Sequence, residues 1–165
     1  MGANQNRLIH IGSLQAQPWK NGGGLTTEIA VDPPGASLED FRWRVSMAKI
    51  ERDGPFSAFP GITRWITLVE GNGFILDFSD GSTLEVTRPF EPHQFDGGLA
   101  AQCRLVNGPC RDLNVMARHD EVMRVAVAHS RAPLPSMGHA VVSGHGVSIR
   151  LDDRHVLNAF VDRPF

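Results

Sequence analysis

DGPFSAFPGITRWITLVEGNGFILDF, the stretch from Asp53 to Phe78, decides how the rest of the chain is read. Turn-forming clusters (DGP and FPG) lead into WITLV, an apolar and β-branched run of strand length. Gly71-Asn72-Gly73 separates it from a second run, FILDF. Two apolar runs meeting at Gly-x-Gly predict two strands joined by a tight β-connection. The pattern returns near the C-terminus as HAVVSGHGVSIRL. Gly144 stands 73 residues after Gly71, and Gly146 stands 73 after Gly73. The same offset carries Leu84 of STLEV onto Leu157 of HVLNAF. The chain therefore reads as two β-modules.

Working outward, the segments on either side read as further strands. Upstream lie LIHI (Leu8 to Ile11) and LTTEIAV, whose Thr and Val content suits a strand. Asp32-Pro33-Pro34-Gly35 breaks the chain, and SLED offers at most one helical turn. FRWRVSMAKI (Phe41 to Ile50) alternates, with Arg44, Ser46 and Ala48 on one face and Trp43, Val45 and Met47 on the other. Either the bulky face lies in a core between sheets or the small, polar face lines a cavity. Downstream, Asp80-Gly81 signals a hairpin into STLEVT, and PHQFDGG (Pro92 to Gly98) reads as a polar turn. AAQCRLV and DLNVMAR are strands separated by Asn107-Gly108-Pro109, and Asp112, Asn114, Met116 and Arg118 share a face of the second. VMRVAVAH continues the pattern, and Arg131 to Ser136 punctuates before the second module. No helical periodicity of ten residues competes. The expected class is all-β.

A chain of 165 residues is one domain's worth, able to bury about 70% of its unfolded surface. A net charge of −2 with interspersed signs argues against a nucleic-acid surface or a basic membrane patch. No apolar run reaches the roughly 20 residues of a membrane span. MGANQNRLIHIG lacks the basic and apolar regions of a secretory signal, and Asn6 departs from the myristoylation pattern. Cys103 and Cys110 alone make no disulfide framework and, in strand-like surroundings, are expected to be buried and inert. A cytoplasmic protein is expected.

Lys20-Asn21-Gly22-Gly23-Gly24 has two readings: a nest of backbone N–H groups for an anion, or a glycine-rich hairpin connection. Without GK[ST] or a following helix it is no phosphate loop. Arg64 opens the WITLV strand in register with Ile66 and Leu68, so its guanidinium points with core residues. That is costly unless the charge is paired. Glu28 and Asp112 are candidate internal partners for Arg44 and Arg64; alternatively one guanidinium awaits a ligand carboxylate, which its planar fork accepts bidentately. Lys20 and Arg118 add positive charge. Seven histidines lack metal-site spacing: there is no His-x-His, HExxH or Cys-x-x-Cys, so surface or satisfied roles are expected for each. No GxSxG marks a nucleophile.

The repeated strand, Gly-x-Gly, strand unit resembles the cupin barrel. In metal-binding cupins the preceding segment carries His-x-His and then Glu; here the corresponding positions are Ser57, Phe59 and Arg64. The resemblance thus implies a cationic, partly aromatic pocket in place of a metal cage. More specifically, the chain resembles the HutD/Ves family. PWKNGGGLTTEI (Pro18 to Ile29), WRVSMAKIERDGPFSAFPG (Trp43 to Gly61), RWITLVEGNG (Arg64 to Gly73), FDGG (Phe95 to Gly98) and DLNVMAR (Asp112 to Arg118) carry the match. It departs from the family at Thr63, where Asp is usual, and in the basic pair Arg118-His119.

The family resemblance implies a two-module, RmlC-like jelly-roll or β-barrel bicupin without a recognised catalytic metal or cofactor. The expected division is an N-terminal module over residues 1–100 carrying the pocket and a shorter C-terminal module over 101–165, packed as one unit. It also implies a link to bacterial histidine utilisation, with members binding small intermediates such as formylglutamate and restraining flux, or a stress-related role in the Ves branch. On this reading Arg64 and Arg44 hold a small carboxylate, with Ser46 and Ser57 as orienting hydroxyls. Trp19, Phe59 and Phe95 supply walls, and Lys20-Asn21 closes one end. The rival is a metal-independent hydrolase or isomerase using Glu28 or Asp112 as base; a third reading is an interaction protein. Edge strands make a homodimer the expected assembly, if any.

Overall fold

The computed structural model describes residues 6–130 and 138–162; the turn expected over Arg131 to Ser136 lies outside these. The described residues form three antiparallel sheets. The central one has six strands in the spatial order β2 (Gln17–Pro18), β3 (Gly24–Asp32), β4 (Trp43–Ile50), β11 (Cys110–Arg118), β6 (Ile62–Glu70) and β9 (His93–Asp96). A four-stranded sheet runs β5 (Gly54–Phe56), β10 (Ala101–Leu105), β7 (Phe74–Phe78) and β8 (Thr83–Val86). A five-stranded sheet runs β1 (Arg7–His10), β13 (His139–Ser143), β14 (Gly146–Arg150), β15 (His155–Val161) and β12 (Met123–His129). The all-β class expected from the sequence holds, with the strands in three open sheets rather than a closed barrel. Among the described residues no helix is long and apolar enough to cross a membrane.

Side-chain alternation gives the central sheet two apolar faces. Trp43, Val45, Trp65, Leu113 and Val115 point one way and meet Ala140, Val142, Val147, Ile149 and Leu157 of the five-stranded sheet. Ile50, Ile66, Leu68 and Cys110 point the other way and meet Phe74, Leu76, Phe78 and Val86 of the four-stranded sheet. The two readings of Phe41 to Ile50 are thus complementary. Its bulky face enters the first core, and Arg44, Ser46 and Ala48 face the second interior.

The two Gly-x-Gly turns differ. Gly144-His145-Gly146 joins directly paired strands, with Ser143 opposite Gly146. Gly71-Asn72-Gly73 joins strands of different sheets: β6 pairs with β11 and β9, while β7 pairs with β10 and β8. The repeat lies in the hairpins that follow. Phe74 pairs with Val86 and Leu76 with Leu84; 73 residues later, Val147 pairs with Ala159 and Ile149 with Leu157.

Two segments read as turns are strands. Gly54–Phe56 pairs with β10, and His93–Asp96 pairs with the edge of β6. The second is short and polar, but His93 and Phe95 alternate toward the interior. Strand pairing crosses residue 100 in both directions: β10 and β11 join sheets built from earlier strands, and β1 pairs with β13.

Candidate functional site

The interior face of the central sheet is a ladder of cross-strand rows. Ile62 lies opposite Arg118 at its open end. The next row is Arg44, Met116, Arg64 and Phe95 across β4, β11, β6 and β9. Below it come Glu28, Ser46, Asn114, Ile66 and His93, and then Thr26, Ala48, Asp112 and Leu68. A polar band crosses an otherwise apolar interior.

Arg64 is its centre and is only 5% exposed. Its Nε donates to Asn114 Oδ1 at 3.4 Å and its Nη1 to the Ser57 carbonyl at 3.3 Å. The guanidinium carbon lies 5.2 Å from the Phe95 ring centre, 5.4 Å from Phe59 and 5.7 Å from Phe56. Three rings around one cation supply quadrupole attraction in a dry setting. Burial lowers the Arg64 pKa to about 10, opposed by the Asp112 charge and reinforced by the Arg44 charge. The group stays cationic at neutral pH. Among the described residues no carboxylate reaches ion-pair distance of it.

Asp112, 1% exposed, has neither carboxylate oxygen in a hydrogen bond. Burial pushes its pKa up to about 7, against the pull of the Arg64 charge and of the Ala48 backbone N–H, which lies outside bonding geometry. His93 Nε2 is also buried without a partner. Unsatisfied buried polar atoms are rare and costly. Among the described residues, both Asp112 oxygens and His93 Nε2 lie on this interior face, while Trp43 Nε1 and Thr67 Oγ1 lie on the opposite one.

Of the two carboxylates expected to pair internally, Glu28 does: its Oε1 accepts from Arg44 Nε at 2.9 Å. Ser46 is buried in the same row. Trp19 Nε1 donates to Thr26 Oγ1 at 2.7 Å, and its ring meets Phe56 edge-on at 5.9 Å. Trp19 therefore backs the aromatic cage rather than touching Arg64. Ser57 offers Arg64 its carbonyl, and Phe59 stacks over the guanidinium. The positions Ser57, Phe59 and Arg64 do converge.

Lys20 and Asn21 lie apart, exposed on the β2–β3 connection. Gly22 N–H donates to the Trp19 carbonyl and Gly23 N–H to Asn21 Oδ1. Those donors are consumed within the turn, so the hairpin reading describes this loop. Arg118 also leaves the band: its guanidinium donates to the carbonyls of Phe41 at 3.0 Å and Glu39 at 3.3 Å. It borders a surface groove of about 690 Å³ lined by Leu38, Phe41, Phe59, Ile62 and His119. Phe59 is common to both regions, with the groove on one side and Arg64 on the other.

Sequence reading missed Phe56, Asn114 and His93. Each carried a signal: Phe56 precedes Ser57 in the loop that supplies Phe59, Asn114 shares a strand face with Asp112, and His93 alternates with Phe95. Cys103 and Cys110 are free and buried, and burial pushes both thiols up to about 12, which leaves them inert as nucleophiles. No group of three or more His, Cys, Asp or Glu among the described residues is arranged to hold a metal ion.

The family model described as HutD matches residues 12–157. A Pseudomonas putida protein, described as an uncharacterized 21.2 kDa protein in the hutC 3' region, is 40% identical over 113 residues, 68% of this chain and 58% of that protein. Protein Ves of Citrobacter koseri is 41% identical over 103 residues, 62% of this chain and 52% of that one. The chain thus spans little more than half the length of these relatives. The structure of HutD from Pseudomonas fluorescens SBW25, from a formate condition, superimposes with a TM-score of 0.75 at 28% identity, covering 96% of this chain and 100% of that one.

Proposed function

The chain belongs to the HutD family, and we propose that it binds a small carboxylate of the formylglutamate type against Arg64, modulating flux in bacterial histidine utilisation rather than catalysing a step. One observation carries the reading: a buried guanidinium, caged by three rings, without a carboxylate partner among the described residues. Burying such a charge unpaired costs several kcal/mol, which an anionic ligand would offset through a bidentate, charge-assisted pair. The hutC-region relative and the likeness to HutD support the pathway association. Arg44 adds positive charge, Ser46 and Asn114 orient, and Phe59 and Phe95 form walls.

The test is thermal unfolding of the purified protein against histidine, urocanate, N-formyl-L-glutamate, glutamate and formate. A ligand that binds only the native state raises Tm with concentration. Arg64→Met should abolish the rise while the variant stays folded. An undiminished shift in that variant removes Arg64 from the site.

A second reading is favoured by Asp112 alone. A carboxyl titrating near neutrality beside a cationic anchor is what general acid–base catalysis asks for. Consumption of the bound acid by pure protein, lost in Asp112→Asn, would move the assignment to a metal-independent hydrolase or isomerase.

A further inference from the structure

Asp112 stands out once Arg64 is given a ligand. It lies on the same interior face, two residues along β11 from the Asn114 that holds Arg64 Nε. Arg64 Nε reaches from the Met116 row to Asn114 in the next row, and the Asp112 charge acts on the guanidinium. Both Asp112 oxygens are buried and lack hydrogen bonds, as does His93 Nε2 in the neighbouring row. A bare carboxylate there would repel an incoming anion. A neutral carboxyl group would instead present an O–H donor to it.

We propose that Asp112 is the specificity-determining partner of Arg64: its neutral carboxyl group donates a hydrogen bond to an uncharged oxygen of the ligand whose carboxylate sits on Arg64, so that the ligand binds together with one proton. This rests on the carboxylate-site reading above. The proton comes from solvent and resides on Asp112; no covalent bond forms or breaks. The ligand class narrows to acids carrying a second, neutral acceptor such as an amide or formyl oxygen.

The groups facing Asp112 are few. Arg64 and Arg44 are the cations on the neighbouring interior rows, the second already held by Glu28; Arg118 is turned to the Phe41 and Glu39 carbonyls, and Lys49 and Arg111 alternate to the opposite face. His93 faces the same interior from β9. Cys103 from the four-stranded sheet and Cys110 on Asp112's own strand are buried thiols that remain protonated. Arg64 favours the ionised form and a bound ligand carboxylate neutralises Arg64, so ligand binding itself pulls the proton onto Asp112.

The experiment is titration calorimetry of N-formyl-L-glutamate into the full chain at pH 8, in HEPES and in Tris, whose ionisation enthalpies differ. Proton uptake makes the observed heat depend on the buffer, and affinity should fall about tenfold for each pH unit above about 7. Asp112→Asn should bind with no buffer dependence and a flat pH profile. Binding without proton uptake in the wild type overturns this inference and leaves the Arg64 reading standing. An unchanged pH profile in Asp112→Asn also overturns it. If none of the five acids binds, the carboxylate-site reading fails first, and this inference falls with it. The wild-type arm needs no variant to fold.

Discussion

Arg44 and Arg64 flank the same residue, Met116, in one cross-strand row, yet only Arg44 has a carboxylate partner. Their substitutions should therefore separate. The Arg44–Glu28 pair is partly solvated, and exposed pairs of this kind contribute about 0–1 kcal/mol. Arg64 carries a desolvation cost without an ion pair, and removing such a charge is often neutral or stabilising. Without ligand, Arg64→Met should unfold in urea within about 1 kcal/mol of wild type, or at higher urea. A loss above about 3 kcal/mol would make Arg64 a structural keystone rather than a ligand anchor.

Phe59 separates the groove from Arg64, and its loop ends at Gly61, where φ is +79° and nothing crowds the backbone. Displacing the ring would connect the groove with the guanidinium. Phe59→Ala should speed ligand association several-fold in stopped-flow tryptophan fluorescence. It should speed dissociation by a similar factor, because the same ring covers the way out. Unchanged association in this variant would place the entry elsewhere.

Much of this site is legible in the sequence. Arg64 in register with Ile66 and Leu68, and the small polar face of Arg44 and Ser46, follow from period-two alternation, which survives whatever sheet the strand joins. Pairing is different, because it depends on partners far along the chain. β6 and β7 are four residues apart yet belong to different sheets, since β6 is claimed by β11, more than forty residues onward. Lys20 and Arg118 belong with the site by charge, and Lys20-Asn21 as a loop closing one end, but the turn hydrogen bonds and the Phe41 carbonyl hold these residues away from it. The cage ring Phe56 was hidden because DGPF reads as a turn, and only cross-strand contact with β10 makes it a strand.

Asp112 also sets a pH dependence of stability. Its folded pKa of about 7 lies above the ordinary 3.8. Below about pH 4 both states are protonated and the group contributes nothing. As pH rises from there toward 7, the unfolded chain ionises while the folded one resists, so wild-type stability falls and then levels off. Asp112→Asn lacks this loss. Relative to wild type it should gain with pH across that window, up to about 4 kcal/mol by pH 8. Urea denaturation of both proteins at pH 5 and pH 8 reads the difference; an equal gap at both pH values would mean Asp112 ionises normally in the fold.

Gly73 and Gly146 test the internal repeat. A Cβ at Gly73 would run into the Val86 carbonyl, and one at Gly146 into the Ala159 carbonyl, each the thirteenth residue onward. Both contacts are backbone atoms fixed by hairpin pairing, so neither can yield cheaply. Gly61 is the control for Gly73: its φ of +79° is close to the +94° there, but it has open space around it. Gly61→Ala should cost only about 1 kcal/mol of backbone strain. Gly73→Ala and Gly146→Ala should each cost about 3 kcal/mol or more, enough to lower Tm by well over 5 °C in a domain of this size. If the two hairpins are equivalent units, the two losses will be similar. A severe loss at Gly73 beside a mild one at Gly146 would show that the C-terminal sheet relaxes around its turn, and that the repeat is one of register and not of packing.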